Sequence, residues 1–386
     1  MHKPKLILHV GHGKTGTTSL QNYLYMHSAD LLKFGYLYPT RKSVRNNHIL
    51  LPAGFIKDAG LRLPNNLTYH DRFERFEMDF KRFWKALLED VEVHDPDTVI
   101  LSCEWYFTDF SKISRVSLNE FLGQYFSSIT VVAYIRSPVA DYLSRLAQRI
   151  RTANPILSPE ARQIRTVIEY YQSQFPGCVQ LHPFDRQQLR GGDILHDFCS
   201  RYVPQALPDI ERLRLKSFNT SLPWPLLREL WRLRELAQGG TGLCSSSTRA
   251  RIDWAAKDYL RLHPEEKKHD VRLQADVAAF IRHSAVDYLW LKEQFGIEFP
   301  DLDYAHIVSM PSPYEAGFAL ERIVDFSKCP EAAFPLERYL GNGPGLWINR
   351  LALILRVQSH RIYRMYLSDS WLLSKVRVMF RRFKWA

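Results

Sequence analysis

Most of the chemistry in this chain is concentrated in one short run. Gly11, Gly13, Lys14, Thr15, Gly16, Thr17, Thr18 and Ser19 place three glycines, a lysine and four hydroxyls within nine positions. Glycines let the backbone come close to an oxyanion. The lysine adds a full positive charge and the hydroxyls add donors. The chemistry is therefore anion binding. Two more groups follow apolar runs. Glu104 comes just after Thr98–Ser102, and Arg136 directly after Ile129–Ile135, with Ser144 eight positions past the arginine. A carboxylate in such a place can take a proton, and a guanidinium fork can grip a phosphate. His48 is a second candidate base. It lies in a polar stretch, Thr40–Leu51, with Arg41, Lys42, Arg45, Asn46 and Asn47.

The elements that must hold these groups read as alternating strands and helices. Lys5–Val10 is a short apolar run of strand character. A helix opens at Thr17, with Leu20, Tyr23 and Leu24 at helical spacing. A strand that passes through glycines into a helix start exposes unpaired N–H groups and the positive end of the helix dipole. Thr98–Ser102 and Ile129–Ile135 are further buried strands, and Ser137-Pro138 is a helix-start pair. Cys178–Pro183 is a fourth strand. Helices are expected over Tyr69–Val93, Glu160–Gln174, Asp193–Tyr202, Pro223–Ala237, Arg249–Leu262 and Val271–Phe295. The aromatics Phe73, Phe76, Phe80, Phe83 and Trp84 share one side of the first of these, which marks core. The alternation predicts an α/β fold, a three-layer sandwich with a central parallel sheet and helices on both faces. Glu104 and Arg136 then sit at the carboxyl ends of strands, where open α/β sheets bind ligands.

The glycine run is not a Walker loop, because only His12 separates Gly11 from Gly13-Lys14. Gly13-Lys14-Thr15-Gly16-Thr17-Thr18-Ser19-Leu20 instead resembles the 5′-phosphosulfate loop of sulfotransferases that use 3′-phosphoadenosine 5′-phosphosulfate (PAPS), in the bacterial and carbohydrate-acting branches. Arg136 with Ser144 matches the same family's 3′-phosphate signature. Ser102-Cys103-Glu104 resembles its Ser-Ser-Glu element, with Cys103 in place of the middle serine. The resemblance covers about residues 5–300 and is motif-specific only in the first two places. The family's Arg-Lys-Gly element is not visible.

The resemblance implies a P-loop-like sulfotransferase fold over residues 1–303; beyond it, the proline-rich composition reads as an irregular linker over 304–345 and the basic, apolar-rich pattern as a helical C-terminal extension over 346–386. It implies sulfuryl transfer to a hydroxyl or amine, with a saccharide or glycolipid as acceptor, PAPS as co-substrate, 3′,5′-adenosine bisphosphate as product, and no metal. Gly13, Lys14, Thr15, Gly16, Thr17, Thr18 and Ser19 would hold the 5′-phosphate, and Arg136 and Ser144 the 3′-phosphate. Lys14 would steady the leaving group, and Glu104, or failing it His48, would take the acceptor proton. The residues by themselves leave a nucleotide-dependent kinase and a non-catalytic nucleotide-binding protein open. They also leave Glu104 open as an acid that orients Lys14 or another basic group through a salt bridge.

Composition narrows the setting. The chain has 386 residues, 46% of them hydrophobic, enough for a large α/β domain with an appendage. Five scattered cysteines with no C-x-x-C spacing argue against a disulfide framework or zinc site. They fit a reducing compartment, so a cytoplasmic location is expected. The apolar run before the glycines is too short for a signal peptide or membrane span. The net charge is +11, and the last 42 residues carry nine Lys/Arg against one acid. The basic character thus belongs mainly to the tail. Nucleic acid is not an expected partner. The tail suits a peripheral place at the inner membrane surface, packing on a protein, or a polyanion.

Overall fold

The structure, a computed structural model, describes residues 2–44, 46–57, 73–151, 155–206, 222–236, 271–308 and 319–329. Outside it lie the glycine- and serine-rich loop at 238–247, the helix expected at 249–262, most of the linker and the whole basic tail. The chain divides into two compact units. One, Met1–Trp224 with His269–Cys329, carries the sheet. The other is described only over Pro225–Leu236.

In order, the first elements are β1 (Lys5–His9), α1 (Thr17–Met26), α2 (Ser28–Leu32), β2 (Tyr36–Leu37), α3 (Phe73–His94), β3 (Thr98–Ser102), α4 (Leu118–Gly123) and β4 (Ser128–Ile135). Then come α5 (Pro138–Arg151), α6 (Arg165–Gln174), β5 (Val179–Pro183), α7 (Ile194–Tyr202) and α8 (Trp224–Leu236). The last are β6 (Arg272–Leu273), α9 (Ala275–His283), α10 (Val286–Phe295), α11 (Leu320–Ile323) and β7 (Val324–Asp325).

Strands β1 to β5 form one parallel sheet in the order β2-β3-β1-β4-β5. Its strands are apolar because both faces are covered. Alternate residues feed two cores. Leu6, Leu8, Val99, Leu101, Val131 and Ala133 pack with Phe76, Phe83 and Trp84 of α3, Tyr171 of α6 and Tyr288 of α10. Ile7, Ile100, Val132 and Tyr134 pack with Leu20 and Leu24 of α1 and Ile194 and Phe198 of α7. Side chains such as Phe83 and Phe198 are fully buried, each contributing about 1.5–3 kcal/mol. The architecture is α/β, a central parallel sheet flanked by helices, and it is compatible with three layers.

Three expected elements differ. The helix expected from Glu160 begins only at Arg165. The N–H groups of Ile164 and Arg165 donate to Asp287 Oδ2 at 2.6 and 2.9 Å, so a carboxylate from α10 caps the start, and the residues before it are not helical. The single helix expected over Val271–Phe295 is instead β6, α9 and α10. It breaks at Ser284, whose hydroxyl donates to Ile281 O and accepts from Ala161 N–H. Within the stretch read as an irregular linker, β7 pairs antiparallel with β6. No described helix is long and apolar enough to cross a membrane.

Candidate functional site

β1 is the central strand, with β3 and β4 on either side. The carboxyl ends of these three strands converge, and the three candidate groups follow them. After β1, Lys14 and Gly16 both adopt the left-handed conformation, each with φ of 73°. Gly16 is the N-cap of α1, so the cap has no side chain and makes no capping hydrogen bond. The first turn of α1 holds no acid. The open N–H groups at this start face the loop. Thr15 is turned inward, its hydroxyl donating to His12 O at 2.6 Å. Thr17 Oγ1 is buried and has no hydrogen-bond partner. Thr18 is exposed and Ser19 half-buried on the next positions.

Arg136, at the end of β4, reaches back to this loop. Its Nη1 donates to the carbonyl of Lys14 at 3.0 Å, and its guanidinium lies 5.8 Å from the centre of the Phe184 ring. The backbone at Arg136 is fixed from the other side, where Tyr288 Oη donates to its carbonyl at 3.0 Å. Ser144 lies on α5, half-buried and one turn beyond Asp141 on the same side of the helix. Among the described residues no hydrogen bond joins it to Arg136. Ser137 does not use its hydroxyl on the helix start, donating instead to Asp301 Oδ2 at 3.0 Å.

Glu104 opens a short 3-10 turn past β3 and is exposed. A methyl group placed on Gly13 would lie 3.3 Å from Glu104 Oε1 and 3.6 Å from Arg162 Nη1. Gly13 therefore lets a carboxylate and a guanidinium flank the loop closely. Among the described residues Glu104 forms no ion pair, although its charge acts against burial to raise the pKa of both Lys14 and Arg162.

His48 does not belong to this group. It is 1% exposed. Its Nδ1 accepts from Ser102 N–H at 2.9 Å and its Nε2 faces Pro39 O at 2.9 Å, which fixes the proton on Nε2. Burial lowers its pKa to about 4, against the bonds to Pro39 and Ser102. Both nitrogens are committed to the backbone, so neither can take a proton from an acceptor. The expectation of His48 as an alternative base is corrected: it pins the polar stretch at Thr40–Leu51 to the end of β3.

The structure adds residues that the sequence did not single out. Asp141 is fully buried and holds Arg145 Nε at 2.6 Å, with His12 Nδ1 3.9 Å from its other oxygen. His12, also fully buried, sets its ring edge-on to Phe107 at 5.2 Å. Arg162 lies 5.3 Å from the centre of the same Phe107 ring. On α5, Arg145 is tied to Asp141 and Arg149 Nε donates to Pro155 O. Burial lowers the pKa of Lys14, with Glu104 acting against it and Arg151 and Arg136 adding to it. Burial also lowers those of Arg136 and Arg162, opposed in each by Asp141. Cations held out of water beside so few acids favour an anionic ligand.

The buried histidines also predict how the protein responds to acid. Desolvation lowers His9 and His12 to about 3, and His48 to about 4, from 6.5. Below pH 6.5 the unfolded chain takes up protons that the folded one refuses. Stability is therefore full above 6.5 and falls as pH drops towards 4, by about 1.4 kcal/mol per pH unit for each histidine. Urea midpoints measured at pH 7 and pH 5 should separate clearly, and equal midpoints would contradict the neutral burial of these rings.

No protein-family model, curated protein or solved structure matches this chain significantly.

Proposed function

We propose that this chain moves a sulfuryl group from PAPS to a hydroxyl or amine of an acceptor, with a saccharide or glycolipid as the acceptor class, on a P-loop-like sulfotransferase fold. The observation that carries this reading is the hydrogen bond from Arg136 to the carbonyl of Lys14. It joins a phosphate-gripping fork to a phosphate-binding loop, as a ligand with phosphates at both ends of one nucleoside requires.

The residues fit such a ligand. An uncapped helix start and an orphaned, buried Thr17 hydroxyl lack the partners that a 5′-phosphate would supply. The backbone N–H groups of Thr15 to Thr18, with the Thr17 and Thr18 hydroxyls, hold that phosphate, and Gly13, Gly16 and Ser19 shape the turn. Arg136 and Ser144 take the 3′-phosphate. The donor supplies an activated sulfuryl group on a stable bisphosphate leaving group. Lys14 steadies charge on the bridging oxygen, and Glu104 accepts the acceptor's proton. Little covalent chemistry falls to the protein, so alignment and charge do most of the catalysis.

A thermal-shift comparison tests the reading. 3′,5′-Adenosine bisphosphate should raise the melting temperature well above buffer and above ADP with Mg²⁺, and labelled PAPS should pass its sulfuryl group to members of a saccharide and glycolipid panel. A larger shift with ADP and Mg²⁺ would favour a kinase instead. Tight bisphosphate binding without transfer to any acceptor would favour a binding protein.

A further inference from the structure

We infer that Arg162 is the receptor for the outer charge of a two-centre anion, such as a phosphosulfate or a pyrophosphate, whose inner centre sits on the Gly13–Thr18 loop. This deepens the reading proposed above and, as regards the phosphosulfate, rests on it.

Arg162 stands in the non-helical segment before α6, whose start Asp287 caps. Its side chain is half-buried. Its guanidinium carbon lies 5.3 Å from the centre of the Phe107 ring, within cation–π range. Among the described residues its N–H donors make no hydrogen bond and no ion pair. Guanidinium donors that are partly buried without an acceptor carry a desolvation cost. Burial lowers the pKa of the group, which registers that cost. Asp141, whose charge acts on Arg162, spends one oxygen on Arg145 at 2.6 Å; its other oxygen makes no hydrogen bond, and neither forms an ion pair with Arg162.

The direction of the side chain names the ligand. Nη1 lies 3.6 Å from the position a methyl on Gly13 would take, with Glu104 Oε1 3.3 Å from the same point. The guanidinium thus sits beside the entrance to the loop, whereas the open N–H groups lie at Thr17 and Thr18, where α1 begins. A single phosphate on the helix start leaves Arg162 without a partner. An anion with a second centre, extending from the loop towards Glu104, gives it one. A lone Glu104 carboxylate beside that second centre would repel it, and the guanidinium across Gly13 offsets the repulsion.

The test is calorimetric binding, without acceptor, to the full chain and to Arg162→Gln. Two pairs of probes are used: PAPS against 3′,5′-adenosine bisphosphate, and pyrophosphate against inorganic phosphate. The variant should lose about tenfold to a hundredfold in affinity for PAPS and pyrophosphate, the scale of a charge-assisted hydrogen bond, and less than about threefold for the one-centre partners. Equal losses for both members of each pair, or no loss, would overturn the assignment. If Arg162→Gln fails to fold, Arg162→Lys is read in its place. It should show a smaller loss still confined to the two-centre probes, and an unselective loss there would overturn the assignment as well. If the unaltered chain ignores 3′,5′-adenosine bisphosphate, the sulfotransferase reading fails on its own, and the pyrophosphate–phosphate pair still decides the role of Arg162.

Discussion

Lys14→Gly is expected to give a protein at least as stable as the parent that scarcely turns over. Lys14 holds φ of 73°, a conformation in which a side chain crowds the backbone. That crowding costs an L-residue about 1–2 kcal/mol, and glycine does not incur it. Glycine's greater freedom in the unfolded chain returns part of the difference, so the net gain is about 0.5–1 kcal/mol. Strain retained at a ligand loop points to what the side chain does there. If the ammonium steadies the leaving group, its loss should lower kcat by about a hundredfold or more. Lys14→Ala separates the two effects, because it loses the ammonium and keeps the strain. It should match glycine in activity and not in stability. Near-normal turnover in either variant would remove Lys14 from the chemistry.

The second large effect is expected from Arg136→Ala, and it should fall on donor affinity. The guanidinium is half-buried and its pKa is lowered by that burial, which in the proposed complex would strengthen its hold on a phosphate. Removing it should weaken 3′,5′-adenosine bisphosphate by about tenfold to a hundredfold. The loop also loses the bond to the Lys14 carbonyl. With donor at saturation kcat should change far less, since in the proposed reaction the 3′-phosphate would be bound alike before and during transfer. Arg136→Lys should recover only part of the affinity, as a point charge lacks the fork.

Local patterns were the most legible part of the sequence. The strand at Thr98–Ser102 and the start of α1 at Thr17 follow directly from apolar runs and glycines. The convergence of Lys14, Glu104 and Arg136 follows from parallel strands in turn delivering their carboxyl ends to one edge. What the sequence hid depends on partners distant along the chain. Nothing near Ile164 shows that Asp287, 123 positions away, will cap α6 there. His48 in a polar stretch looks available until Ser102 and Pro39 are folded onto its two nitrogens. Arg162 is one of 52 lysines and arginines, and only the folded chain sets it on Phe107 beside Gly13.

The central claim is that one nucleoside is held at both ends, by the loop after β1 and by Arg136 after β4. The most direct measurement is a binding cycle, titrating 3′,5′-adenosine bisphosphate and adenosine 5′-phosphate into the parent chain and into Arg136→Ala. Deleting the 3′-phosphate should cost the parent at least about tenfold in affinity and cost the variant almost nothing, because the group it would meet is already gone. An equal cost in both proteins would show that Arg136 does not meet the 3′-phosphate, and would contradict the claim.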